Sequence, residues 1–155
     1  MINNLLIFFT LPYFFALSSC EEDAHKALAI AINSSEMSVF LSHYTGNKSI
    51  IYVKQSSQPT CNGENVSLGK LKTSYKESII MYSSEPLAPG EKVQAAKQNY
   101  FNLPKGRAVI IIDYFTIRST HADIKLRIPI EGVHASFTLT KNPTWSITDS
   151  DVYEQ

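Results

Sequence analysis

The side chains best equipped for chemistry are two cysteines, Cys20 and Cys61, the only thiols in a chain of 155 residues. A thiol can form a disulfide, accept a carbon substituent or ligate a metal. In an exported protein, a pair of cysteines makes a Cys20–Cys61 bridge a reasonable outcome. The four histidines, His25, His43, His121 and His134, add little. None stands at metal-ligand spacing from another His, Cys or carboxylate, apart from the chance pair His121 and Asp123, so neither a metal nor a cofactor is expected. The sequence contains no nucleophile elbow, His-Glu-x-x-His, Walker loop, dinucleotide fingerprint or Cys-x-x-Cys, and it predicts no enzyme. Asp113 is the unusual carboxylate, set within the apolar run Ala108–Ile117. It either marks a functional site or has a structural role, paired with a group such as Arg118 or a loop N–H or simply exposed at a strand bend, and the structural role is the simpler account.

The elements that must position these residues begin with an apolar leader. Residues 1–19 carry no Lys, Arg, Asp or Glu, and Leu5 to Leu17 is an almost unbroken hydrophobic run with Pro12 near its middle. A bilayer-spanning helix needs roughly 20 apolar residues. This run is shorter and ends in the small pair Ser18-Ser19, as an export signal does before cleavage; the other reading is an N-terminal membrane anchor that is never removed. The n-region Met1-Ile-Asn-Asn departs from that pattern in having no basic side chain.

The junction Leu17-Ser18-Ser19-Cys20 resembles a bacterial lipobox. The resemblance implies cleavage before Cys20, a diacylglycerol thioether on its sulfur and acylation of the new amine. It would tether the domain to a membrane, by analogy the outer membrane facing the periplasm. Residues 20–26 would then be an acylated tether and Cys61 a lone thiol. The alternative is ordinary cleavage after Ser18, with Ala16 and Ser18 as the small pair, which leaves Cys20 free to bridge to Cys61. The sequons at Asn33, Asn47 and Asn65 are accounted for by chance in so Asn- and Ser-rich a chain.

Beyond the leader, 14 basic and 14 acidic residues balance, and mean hydropathy over the chain is −0.09. No basic run tracks a phosphate backbone, so the charge pattern excludes a nucleic-acid partner. Period-two patterning dominates and predicts strands at Ala27–Ile32, Met37–Tyr44, Ile50–Val53, Val66–Leu71, Ile79–Tyr82 and Ala108–Ile117. The last of these is apolar on both faces and is expected at the centre of a sheet, or under a covering partner. Ile124–Ile130 and Val133–Leu139 form the clearest unit, a hairpin about Glu131-Gly132 pairing Ile130 with Val133, Ile128 with Ala135, Leu126 with Phe137 and Ile124 with Leu139. Pro129, opposite His134, would place that strand at a sheet edge or beside an irregular neighbour there. Glu91–Asn99 suits either a strand or a short helix. Asp149–Glu154 reads as part of a solvated acidic tail over residues 148–155.

About seven or eight short strands between Gly/Pro turns predict an all-β antiparallel sandwich over residues 27–147. The stretch from Pro86-Leu-Ala-Pro-Gly90 through Phe101-Asn-Leu-Pro-Lys-Gly106 to Val109–Tyr114 resembles bacterial immunoglobulin-like domains. Ala108 and Val109 stand where such domains usually place a tyrosine. That resemblance implies architecture alone. Tyr44, Tyr52, Tyr75, Tyr82 and Tyr100 sit among polar residues and are candidate contact residues, while the single Trp145 is expected in the core. The functional expectation is a lipid-anchored, protein-binding module of the envelope, such as an immunity protein neutralising a secreted toxin. The alternative is a structural or assembly lipoprotein of a secretion or outer-membrane machine.

Overall fold

In a computed structural model of the chain, the described residues are 12–42, 50–68, 74–75, 78–83, 107–129 and 131–155. Two helices come first. Helix α1, Pro12–Ile32, buries Ala24, Ala27, Leu28, Ala31 and Ile32, the i, i+3, i+4, i+7, i+8 stripe of one helical face. Ser34 caps helix α2, Ser35–Leu41, its hydroxyl accepting the Met37 N–H at 3.2 Å, and α2 buries Met37 and Leu41 one turn apart. The strands expected at Ala27–Ile32 and Met37–Tyr44 are therefore helical as far as Leu41. Residues 20–26 are no loose tether: they are a continuous part of α1, with Ala24 inside the core.

The remaining elements are β1 (Ile50–Gln55), β2 (Thr60–Cys61), β3 (Glu64–Asn65), β4 (Ser74–Tyr75), β5 (Ser78–Ser83), β6 (Arg107–Arg118), β7 (His121–Ile128), β8 (Val133–Lys141) and β9 (Trp145–Glu154). The chain is mostly β, as its periodicity predicts. The strands join one mixed sheet in the order β4-β5-β1-β6-β7-β8-β9, and β2 and β3 form a small ribbon off that path. Strand β1 runs parallel to both β5 and β6; β6 to β9 are antiparallel throughout. The second sheet of an antiparallel sandwich lies nowhere among the described residues, where α1 and α2 supply the layer over the sheet instead.

β6 is central, as its doubly apolar sequence predicts. One edge pairs with β7; the other pairs with β1 through Ile112 and then, past a gap, with β2 at Thr116 and Ile117. A bulge between Ile112 and Tyr114 inverts its alternation. Ala108, Ile110 and Ile112 enter the core before the bulge, and Phe115 and Ile117 after it. Asp113, the inserted residue, turns its carboxylate to Arg127, accepting Nη2–H at 2.8 Å and a second bond from Nε. Ser56 donates to the same carboxylate at 2.8 Å, and the Ser57 hydroxyl to the Asp113 carbonyl at 2.7 Å. The partner is thus Arg127, not Arg118, and the bulge is what aims Asp113 across to β7.

The β7–β8 hairpin exists with the expected faces but a different register. Ile128 pairs with Val133, Leu126 with Ala135, Ile124 with Phe137 and Ala122 with Leu139. The slip is two residues, so every apolar side chain stays on the core face. Its cause is a longer loop: Glu131 N–H bonds the Ile128 carbonyl at 3.2 Å, which puts Pro129 at the second position of a turn that favours it. Pro129 therefore sits beyond the ladder, and β7 is an interior strand rather than an edge. Ile130 lies outside the described residues, as do His43, the turns Thr45–Ser49, Pro86–Gly90 and Leu103–Gly106, and Glu91–Asn99.

Gly132 closes the loop at φ +67°, and a Cβ there would stand 2.8 Å from the Gln155 carbonyl oxygen. That oxygen belongs to the residue whose N–H donates to Gly132 O at 3.0 Å. Gly132→Val is expected to cost about 2 kcal/mol from positive φ and the displaced C-terminus together. A melting temperature within one degree of the parent would refute this loop geometry. The C-terminal residues are also no solvated tail: β9 extends through Glu154 and pairs with β8 along its whole length.

Candidate functional site

Cys20 and Cys61 are joined in a disulfide, their Cα atoms 5.9 Å apart across a sequence separation of 41. It fastens α1 to β2. Asn62 braces the joint: at φ 52° its backbone N–H bonds the Ile117 carbonyl at 2.8 Å, and its side-chain carbonyl accepts the Ser119 N–H at 2.8 Å. A sulfur bonded to Cys61 has no valence for a diacylglycerol thioether, so the bridge and lipidation are alternatives at one atom. In this structure Leu17 to Cys20, the lipobox-like junction, lies inside α1. Among the described residues no helix is long and apolar enough to cross a membrane.

A second joint holds the helix to the far end of the sheet. Asp23 on α1 accepts the Lys141 ammonium on both carboxylate oxygens, at 2.7 and 2.8 Å, and the Trp145 indole N–H at 3.1 Å. Its side chain is only 15% exposed, and these three hydrogen bonds from two donor groups offset the burial of its charge. Trp145 is buried, as expected, and Lys141 Nζ lies 6.0 Å from its ring centre. Above this triad, Lys26, Ala29 and Ile30 of α1 and Lys141, Pro143 and Trp145 of the β8–β9 turn line a cavity of about 330 Å³. At its rim, Lys26 pairs with Glu22 at 2.6 Å, in the open. That hydrogen bond and charge hold the Glu22 carboxyl below the usual carboxylate range and the Lys26 ammonium above the usual lysine value. Glu36 is likewise lowered, by its own backbone N–H and by the hydroxyls of Ser35 and Ser150, the last at 3.0 Å from β9.

The sheet face away from the helices is polar along β7 to β9. Cross-strand rows run Arg127–His134–Tyr153, Lys125–Ser136–Asp151 and Asp123–Thr138–Asp149. His134 and Tyr153 stack with ring centres 5.5 Å apart and planes 10° off parallel. Tyr114, paired with Lys125 in register, brings a second tyrosine to this face. At 39% and 44% exposure, Tyr114 and Tyr153 are the most open aromatic residues described. The five tyrosines singled out by sequence context are different ones, and none of their side chains is among those described. The usable signal was strand parity, and for Tyr114 the bulge hides it.

Of the histidines, His25 lies on α1 rather than in a linker, and its buried Nε2 finds no partner among the described residues. His121 opens β7 two residues before Asp123, which accepts the Thr138 hydroxyl at 3.3 Å. Among the described residues no three His, Cys, Asp or Glu side chains converge as metal ligands. The side chains brought together are hydrogen-bond donors, acceptors and aromatic rings. No family model, no curated protein and no solved structure matches this chain.

Proposed function

We propose that this chain is an exported protein of the cell envelope that acts by binding another protein, an inhibitor or immunity protein against a secreted toxin being the most specific form. The observation that carries binding is the outer face of β6 to β9. There two open tyrosines, Tyr114 and Tyr153, flank Arg127, which Asp113 holds in place, and tyrosine and arginine are the residue types enriched where proteins meet. Export is supported by the apolar leader together with the Cys20–Cys61 bond, since disulfides persist in oxidising compartments. We take the bonded state as that of the folded domain. Lipid on Cys20 is the second reading, favoured by the sequence Leu17-Ser18-Ser19-Cys20, and it requires that bond to be absent.

An immunoglobulin-like sandwich is the finer architecture within this proposal. Val109 and Ile111 are buried on the face of β6 away from the helical core, as a second layer would bury them. Intact mass spectrometry of the protein recovered from the envelope tests the anchor. The expected mass is that of the chain cleaved after Ser18, gaining two hydrogens on reduction. An acylated Cys20 beside a free Cys61 would overturn the bonded state and restore the lipoprotein. Affinity capture from an envelope extract tests the partner. A single protein retained at about 1:1 is expected, and its loss on Tyr153→Ala would place it on the outer face. Recovery only within a large assembly would favour the structural reading.

A further inference from the structure

We infer that the cavity between α1 and the β8–β9 turn is a binding site for a small amphiphile with an aliphatic body and one anionic head, a medium-chain carboxylate being the simplest. It is independent of the protein-binding face, which lies on the opposite side of the sheet.

The walls set the body of the ligand. Ala29, Ile30, the Pro143 ring and the Trp145 indole present almost entirely apolar surface, and 330 Å³ lies at the small end of ligand pockets. The polar atoms beneath them are already consumed. Asp23 takes both the Trp145 N–H and the Lys141 ammonium, so the indole offers its ring and Lys141 its aliphatic stem. Thr144 is the remaining lining residue and brings one hydroxyl to a wall that is otherwise apolar.

The rim sets the head. Lys141 is neutralised by the sheltered Asp23, whereas the Lys26 partner is Glu22, and those two side chains are 58% and 65% exposed. A pair so open is worth little and is easily exchanged. A carboxylate lodged at the mouth can therefore take Glu22's place on Lys26 while its chain covers Ile30 and the indole.

Trp145 is the only tryptophan in the chain, so its fluorescence reads the cavity directly. The disulfide-bonded full chain is titrated with decanoate below its micellar concentration. A saturable blue shift is expected, with affinity falling about fivefold for Lys26→Gln and, on the wild type, for decanol in place of decanoate. Ala29→Phe fills the cavity and is expected to abolish the shift while leaving the far-ultraviolet circular dichroism unchanged. If that variant misfolds, Ile30→Gln replaces it, with a weakened shift expected. No saturable change, undiminished binding in a folded cavity variant, or equal affinity for decanol and decanoate would each overturn the inference.

Discussion

Cys61→Ser is expected to lower the free energy of unfolding by about 2–4 kcal/mol, read as an earlier midpoint in urea. The bond closes a long loop, between residues 41 apart, and so removes many conformations from the unfolded chain. The folded side contributes too. Cys61 is 3% exposed, and the serine hydroxyl would be buried in a site built from core residues of β6 and α1. Cys20→Ser is expected to cost a similar amount, and the double variant to cost no more than the larger single one, because both remove the same bond. Dithiothreitol should reproduce the loss in the parent and leave the double variant unmoved. The lipid reading gives the opposite pattern: Cys61→Ser silent in stability, and Cys20→Ser releasing the protein from membranes. The two series of variants thus separate the fates of one sulfur without reference to any partner.

How much of this was legible in the sequence follows from which physical signals are local. Strand β6 announces its central place through apolar residues on both faces, because each face must be buried whatever the neighbours are. The faces of β7 and β8 are equally readable, since alternation survives a two-residue slip. Their register is not, because it depends on whether Pro129 and Gly132 build a two- or four-residue loop. The bulge at Asp113 is invisible for the same reason: it is a feature of pairing with β7, a strand distant from the residue's own neighbours in sequence. Strand β9 looks like a tail because, among the described residues, it has a neighbour on one side alone: its apolar Trp145, Ile147 and Val152 pack on the core while Asp149, Asp151 and Glu154 are exposed. Charges there also deter pairing with another chain, as edges require. The disulfide stood among the alternatives, and sequence alone could not choose between bridge and lipid, since both need only a cysteine at position 20. The outer-face tyrosines were missed because polar neighbours in sequence do not decide which face of a sheet a residue takes.

The helices were the larger error, and α1 supplies the most demanding test. Ala27–Ile32 is a short apolar run, which periodicity alone cannot assign to strand or helix. Adding Ala24 at the preceding turn gives the stripe Ala24, Ala27, Leu28, Ala31, Ile32, which no strand would place on one face. Leu28 is the largest fully buried side chain of that stripe apart from Ile32, and its exposure is 0%. Leu28→Ala is therefore expected to cost about 2–5 kcal/mol, the transfer term plus a cavity that helix and sheet cannot both collapse to fill. Alanine is the better helix former, so propensity works against this loss, and a large effect must come from packing on the sheet. Val39→Ala on α2, where the side chain is 66% exposed, should change stability by less than about 0.5 kcal/mol and serves as the control. If Leu28→Ala behaves like Val39→Ala in chemical denaturation, the residues after Cys20 do not pack as α1, and the helical layer over the sheet falls with them.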